Sequence, residues 1–197
     1  CVIHNAVDRE KYRYSVQKRE EIRGSMGITD QFVIGHVGNF CYQKNHYFLL
    51  DVFEEVHKKD PNTVLLLAGD GVRFEKVRQI VAEKNLEDVV KLLGRRSDTD
   101  YLYQGMDAFL LPSNFEGLPI AGIEAQSAGL PCFMSDEITK ESKITEACYF
   151  IPLKSGAKYW AEEILDNRME RQSAEFLDNA EQYDLANQDQ ELKSLIR

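Results

Sequence analysis

The sequence has little of what metal sites, disulfide frameworks and membrane spans require. Its four cysteines show no CxxC pairing, and its four histidines lack the spacing of zinc ligands. We therefore expect reduced thiols in a cytoplasmic protein. No apolar run approaches the roughly 18 residues that cross a bilayer. Positive charge is also scarce, because 24 Lys and Arg face 33 Asp and Glu; the net charge of −9 argues against a general nucleic-acid surface.

Several motifs that identify nucleotide enzymes and hydrolases are also missing. Gly38-Asn-Phe and Gly69-Asp-Gly do not form the G-x-G-x-x-G pattern, and no G-x-x-x-x-G-K-[ST] loop occurs. Ser113 lacks the flanking glycines of a nucleophile elbow. A receiver-type module would need an acidic pair after the first strand, where this chain has Gly38-Asn39. A non-enzymatic regulatory module is therefore the least favoured interpretation.

Apolar segments alternate with amphipathic segments along most of the chain. The apolar segments predict strands that begin near Phe32, Thr63, Val89, Asp107, Leu130 and Cys148. Helical spacing is clearest between the first two strands, at Phe48, Leu49, Val52, Phe53 and Val56. This alternation predicts βα units, and hence an α/β fold with a Rossmann-like, doubly wound parallel sheet of about six strands.

Charged helices are predicted at both ends of the chain. Residues 9–25 predict one helix, and Gly24 and Gly27 then break the helical pattern. Residues 157–197 predict two or three helices with weak apolar stripes. The stripes contain Trp160, Ile164 and Leu165, then Phe176 and Leu177, and finally Leu192, Leu195 and Ile196.

The stretch from Pro112 to Pro131 carries the strongest signal for a binding site. It predicts the end of a strand, a polar loop, and a helix that begins at Pro119 and is ended by Gly129. The amides without an intrahelical partner are those of Gly117, Leu118, Ile120 and Ala121. Together with the positive end of the helix dipole, these amides predict a site for an anion.

Two carboxylates accompany this anion site. Glu116 lies on the loop, at the edge of the sheet where open α/β folds bind ligands, and Glu124 lies in the helix. A carboxylate only accepts hydrogen bonds, so a ligand that satisfies both glutamates carries hydroxyl groups. A phosphate flanked by hydroxyls describes a sugar nucleotide. Spacing alone leaves it equally open that both glutamates are solvated acids.

The stretch from Glu116 to Pro131 resembles the signature of retaining glycosyltransferases of family four, which have the two-domain GT-B fold. The matching parts are Glu116-Gly-Leu-Pro, Glu124-Ala and Gly129-Leu-Pro. The resemblance implies that residues 1–165 form the C-terminal, nucleotide-sugar-binding domain. It also implies that residues 166–197 are helices that pack on an N-terminal acceptor domain. Because the first eight residues resemble the segment that joins the two domains, we expect the chain to be half of such an enzyme.

The resemblance implies transfer of a hexose from a nucleotide diphosphate sugar, with UDP the expected nucleotide, to a glycan or lipid-linked acceptor. The relatives it suggests are bacterial capsular and exopolysaccharide enzymes, which need no metal or other cofactor. Without its acceptor domain the chain is expected to be inactive, and the full-length enzyme is expected in the cytoplasm, with peripheral membrane association at the inner face. An epimerase of the GT-B type acting on sugar nucleotides remains the alternative, ahead of a flavodoxin-like module.

The resemblance also gives roles to single residues. Glu116 and Lys44 are the expected catalytic residues, Glu116 on the donor sugar and Lys44 on the departing diphosphate. Glu124 is expected to hold the ribose hydroxyls. The remaining expected donor-binding residues are Gly38, Asn39, Arg95, Gly117, Leu118 and Pro119. Asn39 stands where the family usually has an arginine. Two interpretations of Arg95 and its neighbour Arg96 stay equally open: one of them supplies the missing charge or stacks on the base, or both are solvated surface arginines.

Overall fold

The fold is built on one parallel sheet, seen in a computed structural model that describes residues 6–187. Within these residues the strands are β1 Phe32–Val37, β2 Thr63–Ala68, β3 Val90–Gly94, β4 Ala108–Leu111, β5 Cys132–Ser135 and β6 Cys148–Ile151. Their spatial order is β3-β2-β1-β4-β5-β6, and every pairing is parallel. The predicted doubly wound, Rossmann-like sheet of about six strands is confirmed.

Helices cover both faces of this sheet. The α-helices are α1 Arg9–Tyr12, α2 Val16–Ser25, α3 His46–Lys59, α4 Phe74–Glu83, α5 Thr99–Gly105, α6 Ile120–Ser127 and α7 Gly156–Asp166. Strand β2 is buried along its whole length, and its side chains alternate between two apolar cores. Leu65 and Leu67 pack with α3, α4 and α7, whereas Leu66 packs with α2, α5 and α6.

The order of the strands determines where a ligand can bind. Strands β1 and β4 are neighbours at the centre of the sheet. From there β2 and β3 are added toward one edge of the sheet, and β5 and β6 toward the other edge. The connections after β1 and β4 therefore diverge and leave a crevice between them at the carboxyl edge of the sheet. In open α/β sheets this reversal point is where ligands bind.

The prediction of one helix over residues 9–25 is wrong, because the structure has two helices, α1 and α2. The buried side chain of Gln104 stabilises the break between them. Its amide nitrogen donates to the Tyr12 carbonyl at 3.0 Å, and its Oε1 accepts from the Ser15 amide at 2.9 Å. Ser15 then caps α2 through its side chain, and Gly27, at a φ of +66°, follows the end of that helix.

The helices predicted after residue 157 are confirmed for α7 and wrong for residues 167–177. Those residues form no helix, and the last two of them pair through the backbone with another part of the domain. Leu177 donates to the Ile144 carbonyl at 2.9 Å, and Phe176 forms an antiparallel bridge with Thr145. A 3₁₀ helix, Asp178–Tyr183, follows. The predicted stripe at Leu192, Leu195 and Ile196 lies outside the described residues.

Candidate functional site

A cleft of about 740 Å³ opens at the carboxyl edge of the sheet, where the connections after β1, β2, β3 and β4 meet. The predicted site residues that line it are Gly38, Asn39, Lys44, Arg95, Glu116, Gly117, Leu118 and Pro119. Glu124 does not line the cleft. Gln43 and Thr99 line it without having been predicted, although Gln43 directly precedes Lys44 and Thr99 opens α5.

Two glycine-containing loops form one wall of the cleft by lying directly on each other. The Gly38 amide donates to the Ala68 carbonyl at 3.0 Å, and the Phe40 amide donates to the Asp70 carbonyl at 2.9 Å. Gly69, at a φ of +143°, lies so close that an added Cβ would be 1.9 Å from the Gly38 carbonyl oxygen. Only glycine can make such a close contact, so the Gly69-Asp-Gly turn determines how the loop after β1 lies against it.

Lys44 and Glu116 form an ion pair between the loops after β1 and β4. The Lys44 ammonium donates to Oε1 of Glu116, and the two side chains are only 16% and 5% exposed. Gln43 Nε2 lies 3.4 Å from the same oxygen. The second oxygen, Oε2, is buried and has no hydrogen-bond partner within residues 6–187. A buried acceptor left unpaired is costly, so this carboxylate has a place for one more donor.

Helix α6 presents free amides to the cleft. It begins at Ile120, so the prediction that it begins at Pro119 is one residue early. Pro119 is instead the N-cap, and its carbonyl accepts from the amides of Gly122 and Ile123 at 2.9 and 3.1 Å. In the described part of the chain, no acceptor pairs with the amides of Gly117, Leu118, Ile120 and Ala121. Such amides at the positive end of a helix form an anion site.

The two arginines after β3 have different surroundings. The Arg96 guanidinium binds both oxygens of Asp98, at 2.8 and 2.6 Å, and these hydrogen bonds lower the pKa of the Asp98 carboxyl. Arg95 is exposed, and no acceptor in residues 6–187 pairs with its side chain. Arg95 is therefore the cation of this pair that is available to a ligand in the cleft.

Glu124 is held behind the wall of the cleft by two tyrosines. Its Oε1 accepts from the Tyr12 hydroxyl at 2.6 Å, and its Oε2 accepts from the Tyr103 hydroxyl at 2.9 Å. Burial and the Glu124 carboxylate raise the pKa of both tyrosines, which therefore remain donors at neutral pH. No local sequence pattern predicts this group, because Tyr12 is 112 residues away from Glu124. We call these three residues the Glu124 cluster.

Two buried histidines lie beneath the loop that follows β1. Their rings are 4.8 Å apart, and His46 stacks on Phe40 at 4.1 Å. Burial lowers the pKa of His46 to about 4, and lowers that of His36 well below its usual value. Both rings are therefore neutral at pH 7 and contribute packing, not charge, to the floor of the site.

The described residues contain neither a metal-type cluster nor a membrane-spanning helix. In residues 6–187, no three His, Cys, Asp or Glu side chains lie together as metal ligands would. In the same range, no helix combines the length and apolar character needed to cross a membrane.

Comparison with known proteins identifies the class to which this fold and cleft belong. The family model described as Glycosyl transferases group 1 matches residues 18–184. The chain is 36% identical over 141 residues to the putative glycosyltransferase EpsF of Bacillus subtilis. The match covers 71% of this chain and 37% of that protein. Because the family model covers most of its length, the chain belongs to the group 1 glycosyl transferases.

Two further proteins extend the comparison. The chain is 33% identical over 139 residues to the UDP-Gal:alpha-D-GlcNAc-diphosphoundecaprenol alpha-1,3-galactosyltransferase of Escherichia coli, covering 68% of this chain and 36% of that enzyme. The fold matches that of Anabaena Alr3699/HepE, solved in complex with UDP and glucose, with a TM-score of 0.83 at 21% identity; the match covers 100% of this chain and 56% of that one. The predicted GT-B glycosyltransferase family is thus confirmed, and the chain spans little more than a third of the two curated relatives.

Proposed function

We propose that this chain binds the donor of a retaining glycosyltransferase, which transfers a hexose from a UDP-linked sugar to a glycan or lipid-linked acceptor. The observation that carries the proposal is the unpartnered Oε2 of Glu116, buried in a cleft beside the free amides of α6. An anion site next to an acceptor that lacks a donor fits a diphosphate joined to a hydroxyl-bearing sugar. The names of the Escherichia coli and Anabaena proteins, which mention UDP with galactose or glucose, support the choice of nucleotide.

The diphosphate would lie between the amino end of α6 and the loop after β1. Free amides meet it on one side. Three cations line the same cleft, and because Arg96 is held by Asp98, Lys44 and Arg95 are the two that remain for the diphosphate. Asn39 can donate from its amide group but adds no charge, so the positive charge comes from the two longer side chains. As the bond between the anomeric carbon and the diphosphate oxygen breaks, negative charge grows on that oxygen. Donors fixed in place beforehand stabilise this charge without reorganising.

The hexose would lie beside Glu116. One sugar hydroxyl donates to Oε2, while Oε1 keeps its contact with Lys44. This arrangement satisfies the buried carboxylate completely and fixes how the ring is oriented relative to the leaving group. The retaining outcome is proposed from the resemblance of the Glu116 to Pro131 stretch to the family signature.

The acceptor would be supplied by another part of the enzyme. We propose that an N-terminal domain holds it and closes the cleft, that residues 1–165 are the donor domain, and that the 197-residue chain alone transfers little sugar. In the full-length enzyme, a lipid-linked acceptor would place the cleft at the inner face of the membrane, in the cytoplasm. Polysaccharide synthesis is the process that such a reaction serves.

Calorimetric titration of the chain with UDP, GDP and ADP tests the proposed function. We expect UDP to bind and the Lys44→Met variant to bind it at least tenfold more weakly, because a cation that contacts a diphosphate contributes about 1.5–3 kcal/mol. Lys58→Met is the matched control, since Lys58 is 56% exposed and pairs with Glu54 and Glu55 on α3. Failure of all three nucleotides to bind at millimolar concentration, or equal affinity in the Lys44→Met variant, would contradict the proposal.

A further inference from the structure

The Glu124 cluster connects the donor cleft to the segment with which the chain enters the domain. Tyr12 is the last residue of α1. At the start of that segment, Val7 forms a parallel bridge with Asp184, and the Arg9 side chain donates to the Asp184 carboxylate at 2.7 Å. Residues 7–9 thus lie against Asp184, and the same segment ends at Tyr12, which contacts Glu124 on α6.

Each oxygen of the Glu124 carboxylate has one tyrosine donor, so the plane of the group is fixed. Tyr12 is 6% exposed, and its ring meets that of Tyr103 edge to face at 5.7 Å. The Tyr103 hydroxyl also lies 3.2 Å from the Ala121 carbonyl, next to the cleft. A carboxylate oxygen can accept two hydrogen bonds, so each oxygen keeps room for one more donor.

The position of Glu124 on α6 places it one turn behind the wall of the cleft. It follows Ala121 by three residues and Ile120 by four, and both of these line the cleft. Residues at these spacings share a face of a helix. Thr99, at the start of α5, also lines the cleft and interacts with the Tyr12 hydroxyl. The cluster therefore lies directly behind the part of the cleft that Thr99, Ile120 and Ala121 line.

We propose that Tyr12 is a positioning residue for the ribose of the donor. Its hydroxyl holds the Glu124 carboxylate in the orientation in which the remaining acceptor sites meet the ribose hydroxyls. This inference rests on the proposed function, because it assumes a nucleoside diphosphate in the cleft. A charge-assisted hydrogen bond from a buried phenol is strong enough to fix such a group, and Tyr12→Phe would leave the carboxylate held on one oxygen only, by Tyr103.

If Tyr12 only tied α1 to α6, its loss would weaken the binding of every ligand in the cleft equally. A positioning role predicts a loss only for ligands with ribose hydroxyls, so ligand preference distinguishes the two roles. We would titrate the 197-residue chain with UDP and with 2′,3′-dideoxy-UDP, which lacks the two ribose hydroxyls. The Tyr12→Phe variant should bind UDP about five- to tenfold more weakly, the loss expected for one misplaced hydrogen-bond acceptor. Its affinity for 2′,3′-dideoxy-UDP should stay within about twofold of the parent value. Tyr159→Phe, an exposed tyrosine on α7, is the matched control.

Two additional variants keep the test decisive. Tyr103→Phe removes the donor on the other oxygen of Glu124 and should show the same selective loss, so it replaces Tyr12→Phe if that variant does not fold. In a Glu124→Gln background, Tyr12→Phe should cause no further loss of UDP affinity. Equal weakening of both ligands by Tyr12→Phe, or no weakening, would overturn the inference alone. A parent chain that binds no UDP would overturn the proposed function and this inference with it.

Discussion

Substitution of Lys44 by methionine would leave the Glu116 carboxylate buried without its cation. The carboxylate is 5% exposed, one of its oxygens already lacks a partner, and the other would keep only the long contact with Gln43. Removing one partner of a buried ion pair costs roughly 3–5 kcal/mol. Because Lys44 is 16% exposed and methionine retains the packing of its stem, we expect the lower end, about 3 kcal/mol.

Urea unfolding of a double-mutant cycle measures this effect. Glu116→Gln should cost only about 1 kcal/mol, because the flexible Lys44 can turn its ammonium to water. Lys44→Met combined with Glu116→Gln should be within about 1 kcal/mol of the parent chain, since no charge remains buried. In thermal unfolding, a loss of about 3 kcal/mol lowers the midpoint by about 6–12 °C in a chain of this size. A Lys44→Met variant as stable as the parent, or a double variant with the summed loss, would refute the reasoning.

Two further predictions concern the floor and wall of the cleft. Gly69→Ala should lower the free energy of unfolding by more than about 2 kcal/mol and weaken UDP binding, because its Cβ would collide with the Gly38 carbonyl. Gly24→Ala in α2 is the control, because an added Cβ there meets nothing within 4 Å; it should be neutral or stabilise the chain by up to about 1 kcal/mol. Equal losses of stability in the two variants would contradict the close contact between Gly69 and Gly38. The folded pKa of His46, about 4, lies below the unfolded value of about 6.5, so the folded state binds fewer protons between these values. The free energy of unfolding should therefore fall as pH drops from about 6.5 to about 4, and His46→Phe should reduce this fall. Urea unfolding at several pH values measures both, and a pH dependence that is the same in the variant and the parent would contradict the prediction.

The sheet could be predicted because each strand is an apolar run of the right length between helical patterns. Strand β2 begins at Thr63, as predicted, since it is buried on both faces and every one of its residues is apolar or β-branched. The site at the carboxyl edge followed from the same pattern, because the order of strands and loops determines which loops meet there.

What could not be predicted depends on contacts between distant parts of the sequence. The break between α1 and α2 comes from Gln104, which is 89 residues away from Ser15. Residues 167–177 have the composition of a helix, but their backbone pairs with Ile144 and its neighbour. The ion pair of Lys44 and Glu116 joins residues 72 apart. Both residues were predicted to be in the site, but the pattern around each one gives no information about the other.

A crystal structure of the chain with UDP-glucose would test the central claim most directly. We expect diphosphate oxygens to accept hydrogen bonds from the amides of Leu118 and Ile120, at the amino end of α6. We also expect a glucose hydroxyl within hydrogen-bond distance of Glu116 Oε2, the buried oxygen that has no partner in residues 6–187. A diphosphate that lies away from α6, or a sugar that leaves Oε2 unpaired, would contradict the claim that this cleft is a donor site.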